Sequence, residues 1–97
     1  MSIKRRRNPA SVVEAHPLNA LEWLEIRMHW EDESRAWVTV IPHLGHLSTF
    51  GDTEQEALDN TAEMLLAWVE SSEANGLKIP LTRTQLKELK RELAEWA

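Results

Sequence analysis

Glu25, Glu31 and Asp32 sit in or beside an alternating stretch near residue 30, where a folded chain could gather a metal ion. Metal-dependent phosphoryl chemistry needs several carboxylates converging on one divalent cation. Here the alternation puts Glu25 and Glu31 on the solvent side of a strand and Asp32 in a polar turn, where acids are ordinarily just solvated. The four histidines are His16, His29, His43 and His46, and only His43 and His46 are close in sequence. They bracket a turn, and no helical or ribbon spacing forces them onto a common ion. Ser34, Ser48, Ser71 and Ser72 lack a nucleophile-elbow setting, and no glycine-rich loop is present to cradle a phosphate. The chain has no cysteine, hence no disulfide and no thiolate chemistry. No catalytic, cofactor or metal site is expected, and the protein should act by binding.

Charge is what remains to direct that binding. The formal net charge of −5 conceals a split. Four of the 11 basic residues are Lys4, Arg5, Arg6 and Arg7; from residue 8 onward seven Lys/Arg stand against 16 Asp/Glu, a net of −9. An acidic body repels nucleic-acid phosphates and favours basic protein partners. The simpler role of such a surface is solubility. The residues expected to meet a partner are Glu31, Asp32 and Glu33, in a polar turn, together with Trp37. The run Lys4–Arg7 suits weak phosphate contact or serves as a solubilising tail. No apolar stretch approaches the roughly 20 residues of a membrane span, and none follows the basic run as a signal peptide requires. With no cysteine to protect, a cytoplasmic location is expected.

These residues need elements to hold them. Residues 1–17 lack periodicity and read as a flexible basic arm. From Leu21 to Glu31 the chain alternates, with Leu24, Ile26, Met28 and Trp30 on one side and Glu25, Arg27, His29 and Glu31 on the other, a half-buried strand. Ala36 to Ile41 resumes as its hairpin partner, Pro42 and Gly45 reverse the chain, and Leu47 to Phe50 predicts a short third strand. Thr53-x-x-Glu56 is a capping box opening a helix over 53–75, whose Leu58, Thr61, Ala62, Leu65, Trp68 and Val69 form one apolar stripe. Asn75-Gly76 supplies a left-handed end. Leu77 to Pro80 reads as a fourth, edge strand. Thr82-x-x-Gln85 starts a last helix with the narrow seam Leu86, Leu89, Leu93 and Trp96. Such a seam, with five tryptophans in so small a chain, predicts a homo-oligomer, most simply a dimer. The alternative is that this helix folds back on its own sheet. The expected class is α+β: an antiparallel three- to four-stranded sheet in the order β-β-β-α-β, one helix packed across it, and a C-terminal helix.

The ordered set Ala36-Trp37-Val38-Thr39-Val40-Ile41, Pro42-His43-Leu44-Gly45, Gly51-Asp52-Thr53 and Glu56-Ala57-Leu58 resembles the HicB family of bacterial antitoxins. The likeness extends to Trp68, Gly76 and Ile79-Pro80, roughly half of the chain. Where that family has Pro-Gly, this chain has Gly45-His46, and a histidine fits there only if the backbone needs no positive φ. The resemblance implies a truncated ribonuclease H-like domain over residues 18–80 that has lost the nuclease site. It also implies a partner: a small, basic, RNA-cleaving toxin of the HicA type, blocked by the acidic body. Members commonly carry a DNA-binding module after the Ile-Pro position. Residues 81–97 hold a single helix, too short for a helix-turn-helix, so sequence-specific DNA binding is not expected. The competing readings are a stand-alone inhibitor or regulator, for example phage-encoded, acting on another nucleic-acid-binding target, or an orphan structural dimer.

Overall fold

The computed structural model describes residues 16–96; the basic run Lys4–Arg7 lies outside the described residues. The order of elements is β1 (Arg27–Glu31), β2 (Ala36–Ile41), β3 (Leu47–Gly51), α1 (Glu54–Ala74) and α2 (Arg83–Trp96), with short 3-10 turns at Pro17–Ala20 and Pro42–Leu44. The strands form one antiparallel sheet in the order β1-β2-β3, and α1 packs across it. This is the expected α+β arrangement.

Register decides which side chains meet α1. Met28 pairs with Thr39 and Thr39 with Thr49, while Trp30 pairs with Trp37 and Trp37 with Gly51. Residues directly opposite share a face. Thr39 reaches Thr61 of α1, so Met28, Trp30, Trp37, Ile41 and Leu47 lie on the helix side with it. Arg27, His29, Glu31, Val38, Val40, Ser48 and Phe50 lie on the other face, where Phe50 is 64% exposed. The core forms between the helix side and the α1 stripe: Leu58, Thr61, Ala62, Leu65 and Val69 are buried, and Trp68 packs against them.

Local chemistry fixes the ends of α1. Thr53 Oγ1 accepts the Glu56 N–H at 3.0 Å, and the Glu56 carboxylate reaches back to the Asp52 N–H rather than to that of Thr53, a capping box displaced by one residue. At the far end the Leu77 N–H bonds to the Ser72 carbonyl and the Gly76 N–H to that of Glu73, with Gly76 at φ 67°, a complete Schellman motif. Gly51 has a different task. A Cβ there would lie 2.5 Å from the Ala57 nitrogen and 2.8 Å from the Glu56 carbonyl carbon. The Gly-Asp-Thr sequence thus lets β3 pass directly under the first turn of α1.

Four expectations change. The alternating stretch from Leu21 becomes a strand only at Arg27; Leu21 and Leu24 are buried in an irregular segment leading into β1. Their burial comes from packing under α2 and α1 rather than from pleating. No strand forms at Leu77–Pro80: Leu77 is 60% exposed, and the Leu81 N–H turns back to the Ile79 carbonyl, which kinks the segment instead of extending it. Proline also removes one ladder donor there. His46 takes φ 58° immediately after Gly45 at φ 68°, so the turn does demand a left-handed histidine. Histidine is among the side chains enriched in that region. Finally, His16 and Pro17, the last two residues of the arm expected over 1–17, are structured: His16 is buried and Pro17 opens a 3-10 turn, while residues 1–15 lie outside the described residues.

Candidate functional site

In a three-stranded meander, the first turn and the exit of the third strand lie at the same end of the sheet. Here Glu31 pairs with Ala36, and Trp37 pairs with Gly51, so the β1–β2 turn and the β3–α1 junction are neighbours. Glu31, Asp32 and Glu33 therefore share one end of the domain with Asp52, Glu54 and Glu56. All are exposed except Glu54, which is half-buried. In the sequence Asp52 stands out only within Gly51-Asp52-Thr53 and Glu56 only in the capping box, and the position of these acids beside the turn follows from meander geometry.

Two of these acids, Glu31 at the end of β1 and Asp32 in the turn, are held in place. Trp30 Nε1 donates to Asp32 Oδ1 at 2.8 Å, and Ser34 Oγ donates to Glu31 Oε1 at 2.6 Å. Arg35 closes the turn at φ 55°. Trp37 is half-buried and stands edge-to-face against Trp30, with ring centroids 5.6 Å apart and planes at 66°. Trp30 is 43% exposed and was not singled out from sequence. An exposed indole bonded to an acid and braced by a second indole is a suitable rigid contact for a protein partner, since aromatic residues carry large contact area at low entropic cost.

Among the described residues no three His, Asp or Glu side chains converge as metal ligands. Glu25 bonds to Arg27 at 2.7 Å, away from Glu31 and Asp32 in their turn. His43 and His46 are exposed in and after the Pro42–Leu44 turn, and His29 is exposed on β1. The buried histidine is His16. Its Nδ1 accepts the Leu18 N–H at 3.2 Å, so its proton sits on Nε2 and points to Asp59 Oδ1 at 3.0 Å. Asp59 Oδ1 also accepts from Gln55 Nε2 at 2.9 Å and Trp96 Nε1 at 3.2 Å. Both ring nitrogens of His16 are thus engaged. The arrangement ties His16, α1 and the end of α2 together.

The seam of α2 turns inward. Leu89 and Leu93 are 0% and 1% exposed within the single chain, and Leu86 and Trp96 pack against the same core. Trp23 Nε1 adds a bond to Glu88 at 2.8 Å, and Lys90 pairs with Glu73 at 2.6 Å. The apolar stripe expected to pair with a second copy is consumed inside the domain, because the irregular segment before β1 supplies Leu18, Leu21 and Leu24 to cover it. Among the described residues no helix is long and apolar enough to cross a membrane. Compared with known protein families, with curated proteins and with solved structures, the chain finds no match.

Proposed function

We propose that this domain is a HicB-like antitoxin that binds and occludes a small basic toxin of the HicA type in the cytoplasm, acting without catalysis. The observation that carries the reading is the acidic end of the sheet, where Glu31, Asp32 and Glu33 adjoin Asp52, Glu54 and Glu56 around Trp30 and Trp37. Six carboxylates on a rigid turn and a helix start present negative charge to a surface that holds RNA phosphates. Blockade is then steric and electrostatic: the acidic end stands where the phosphates would lie, and the indoles supply apolar contact. Long-range attraction of this kind raises the encounter rate and is screened by salt.

The test is to look for a short basic reading frame beside this one, co-purify its product with the protein and measure association rates at low and high salt; the absence of such a neighbour counts against the antitoxin reading. Replacing Glu31, Asp32 and Glu33 together by Lys should slow association by about tenfold or more, because rim charges act on the encounter step. Far-ultraviolet circular dichroism should be unchanged, since exposed turn charges carry little stability. A rate indifferent to both salt and the charge reversal refutes electrostatic blockade.

A further inference from the structure

The two edges of the sheet are not alike. Along β3, α1 packs closely and Asn60 Nδ2 donates to the Phe50 carbonyl at 2.7 Å. β1 is the other edge, and Arg27, His29, Trp30 and Glu31 on it are exposed, with Met28 half-buried. Every second residue of such a strand turns its N–H and C=O away from its neighbour, a template for another strand.

Charge on an edge strand normally discourages pairing between copies. On β1 the two charges have opposite sign and stand symmetrically, two residues either side of His29. An antiparallel two-fold pairing centred on His29 sets Arg27 opposite the partner's Glu31, and Glu31 opposite the partner's Arg27. The same register sets Met28 opposite the partner's Trp30. The faces agree: Arg27 and Glu31 both lie on the side away from α1, and Met28 and Trp30 both lie on the helix side. Centring the pairing on Met28 or on Trp30 engages only three residues of the strand and leaves one charge facing His29. The His29 register uses the whole strand and neutralises both charges.

We propose that β1 is a self-recognition edge, through which two copies of this chain pair antiparallel about His29 to make one six-stranded sheet. The existing partners of the two charges yield readily, because the Arg27–Glu25 and Glu31–Ser34 contacts are both exposed. Trp30, left 43% exposed in the single chain, gains Met28 of the partner subunit as a packing surface. The pairing stands on the geometry of β1 and does not depend on the antitoxin reading; because it engages Glu31 and Trp30, it competes with the toxin contact proposed for them, and it is tested on the isolated full chain.

Sedimentation equilibrium over a wide concentration range should show the mass rising from 11.2 kDa to twice that value. Arg27→Glu alone or Glu31→Arg alone places like charges opposite each other twice, and each should raise the dissociation constant about tenfold or more. The double reversal, Arg27→Glu with Glu31→Arg, should restore wild-type dimerisation. Hydrogen exchange on the unmutated protein gives an independent reading: outward β1 amides should be protected at high concentration and lose protection on dilution. A chain that stays monomeric overturns the proposal, as does a dimer indifferent to the single reversals, which would pair through another face. So does concentration-independent protection of β1, which would mean that the edge is covered from within the same chain.

Discussion

The buried hydroxyl pair between sheet and helix gives the most quantitative test of this fold. Thr39 and Thr61 are both 0% exposed, and their hydroxyl oxygens are 2.7 Å apart. Thr61 Oγ1 donates to the Ala57 carbonyl at 2.7 Å, which commits its single proton. Thr39 must therefore be the donor to Thr61, and its other acceptor, the Thr49 carbonyl, is at 3.5 Å, the outer limit of a hydrogen bond. Thr61→Val removes the acceptor while nearly conserving shape, leaving a buried donor with that one poor partner. It should cost about 1–3 kcal/mol, the penalty for stranding a buried polar group. Thr39→Val leaves Thr61 still bonded to Ala57 and should cost about 1 kcal/mol or less. The double valine variant removes both polar groups and should be nearly neutral, so the cycle should show a coupling of about 1–3 kcal/mol. Urea denaturation of the four proteins measures it, and thermal melting should move by roughly 4–8 °C per kcal/mol for a domain of this size. If the double variant loses the sum of the two single losses to within about 0.5 kcal/mol, the sites are independent and the donor assignment is wrong.

Two further perturbations probe the supports of the acidic end and the closure of the domain. Gly51→Ala drives a methyl into the Ala57 and Glu56 backbone, which cannot rotate aside as a side chain can; about 1–3 kcal/mol of destabilisation is expected by urea titration, and a neutral result would mean that β3 and α1 are further apart than described. Asp59→Ala strands the buried His16 Nε2–H and removes the acceptor for Gln55 and Trp96, so it should cost about 1–3 kcal/mol and increase the solvent exposure of Trp96 seen by acrylamide quenching. Unchanged stability and quenching would show that His16, α1 and α2 are not joined there.

How far the chain could be read without its fold depends on the range of the interaction concerned. Helix α1 was legible because its signals are local: the Thr53 cap, the Asn75-Gly76 ending and a stripe whose residues meet within one or two turns. Strands β2 and β3 were legible for the same reason, being bounded by Pro42, Gly45 and Gly51. Residues Leu21–Ile26 alternate like a strand, yet periodicity reports only that one side is buried. The neighbouring helices bury Leu21 and Leu24 without any ladder. Leu77–Pro80 failed in the opposite direction, since an apolar, extended-looking segment becomes a strand only where an edge is within reach. The seam of α2 named an apolar stripe correctly, but a stripe does not specify what covers it. Leu18, Leu21 and Leu24 arrive from the other end of the chain to do so.

The candidate site divides along the same line. Sequence alone determined that the body is acidic, that Asp32 and Glu33 lie in a turn, and that Thr53 and Glu56 open a helix. Only the tertiary structure decided that these two groups share one end of the sheet, that Trp30 and Trp37 brace each other beside them, and that Asp59 gathers His16, Gln55 and Trp96. Composition and periodicity are properties of neighbours along the chain. Convergence of residues tens of positions apart is set by strand register and helix docking, which exist only once the whole core has closed.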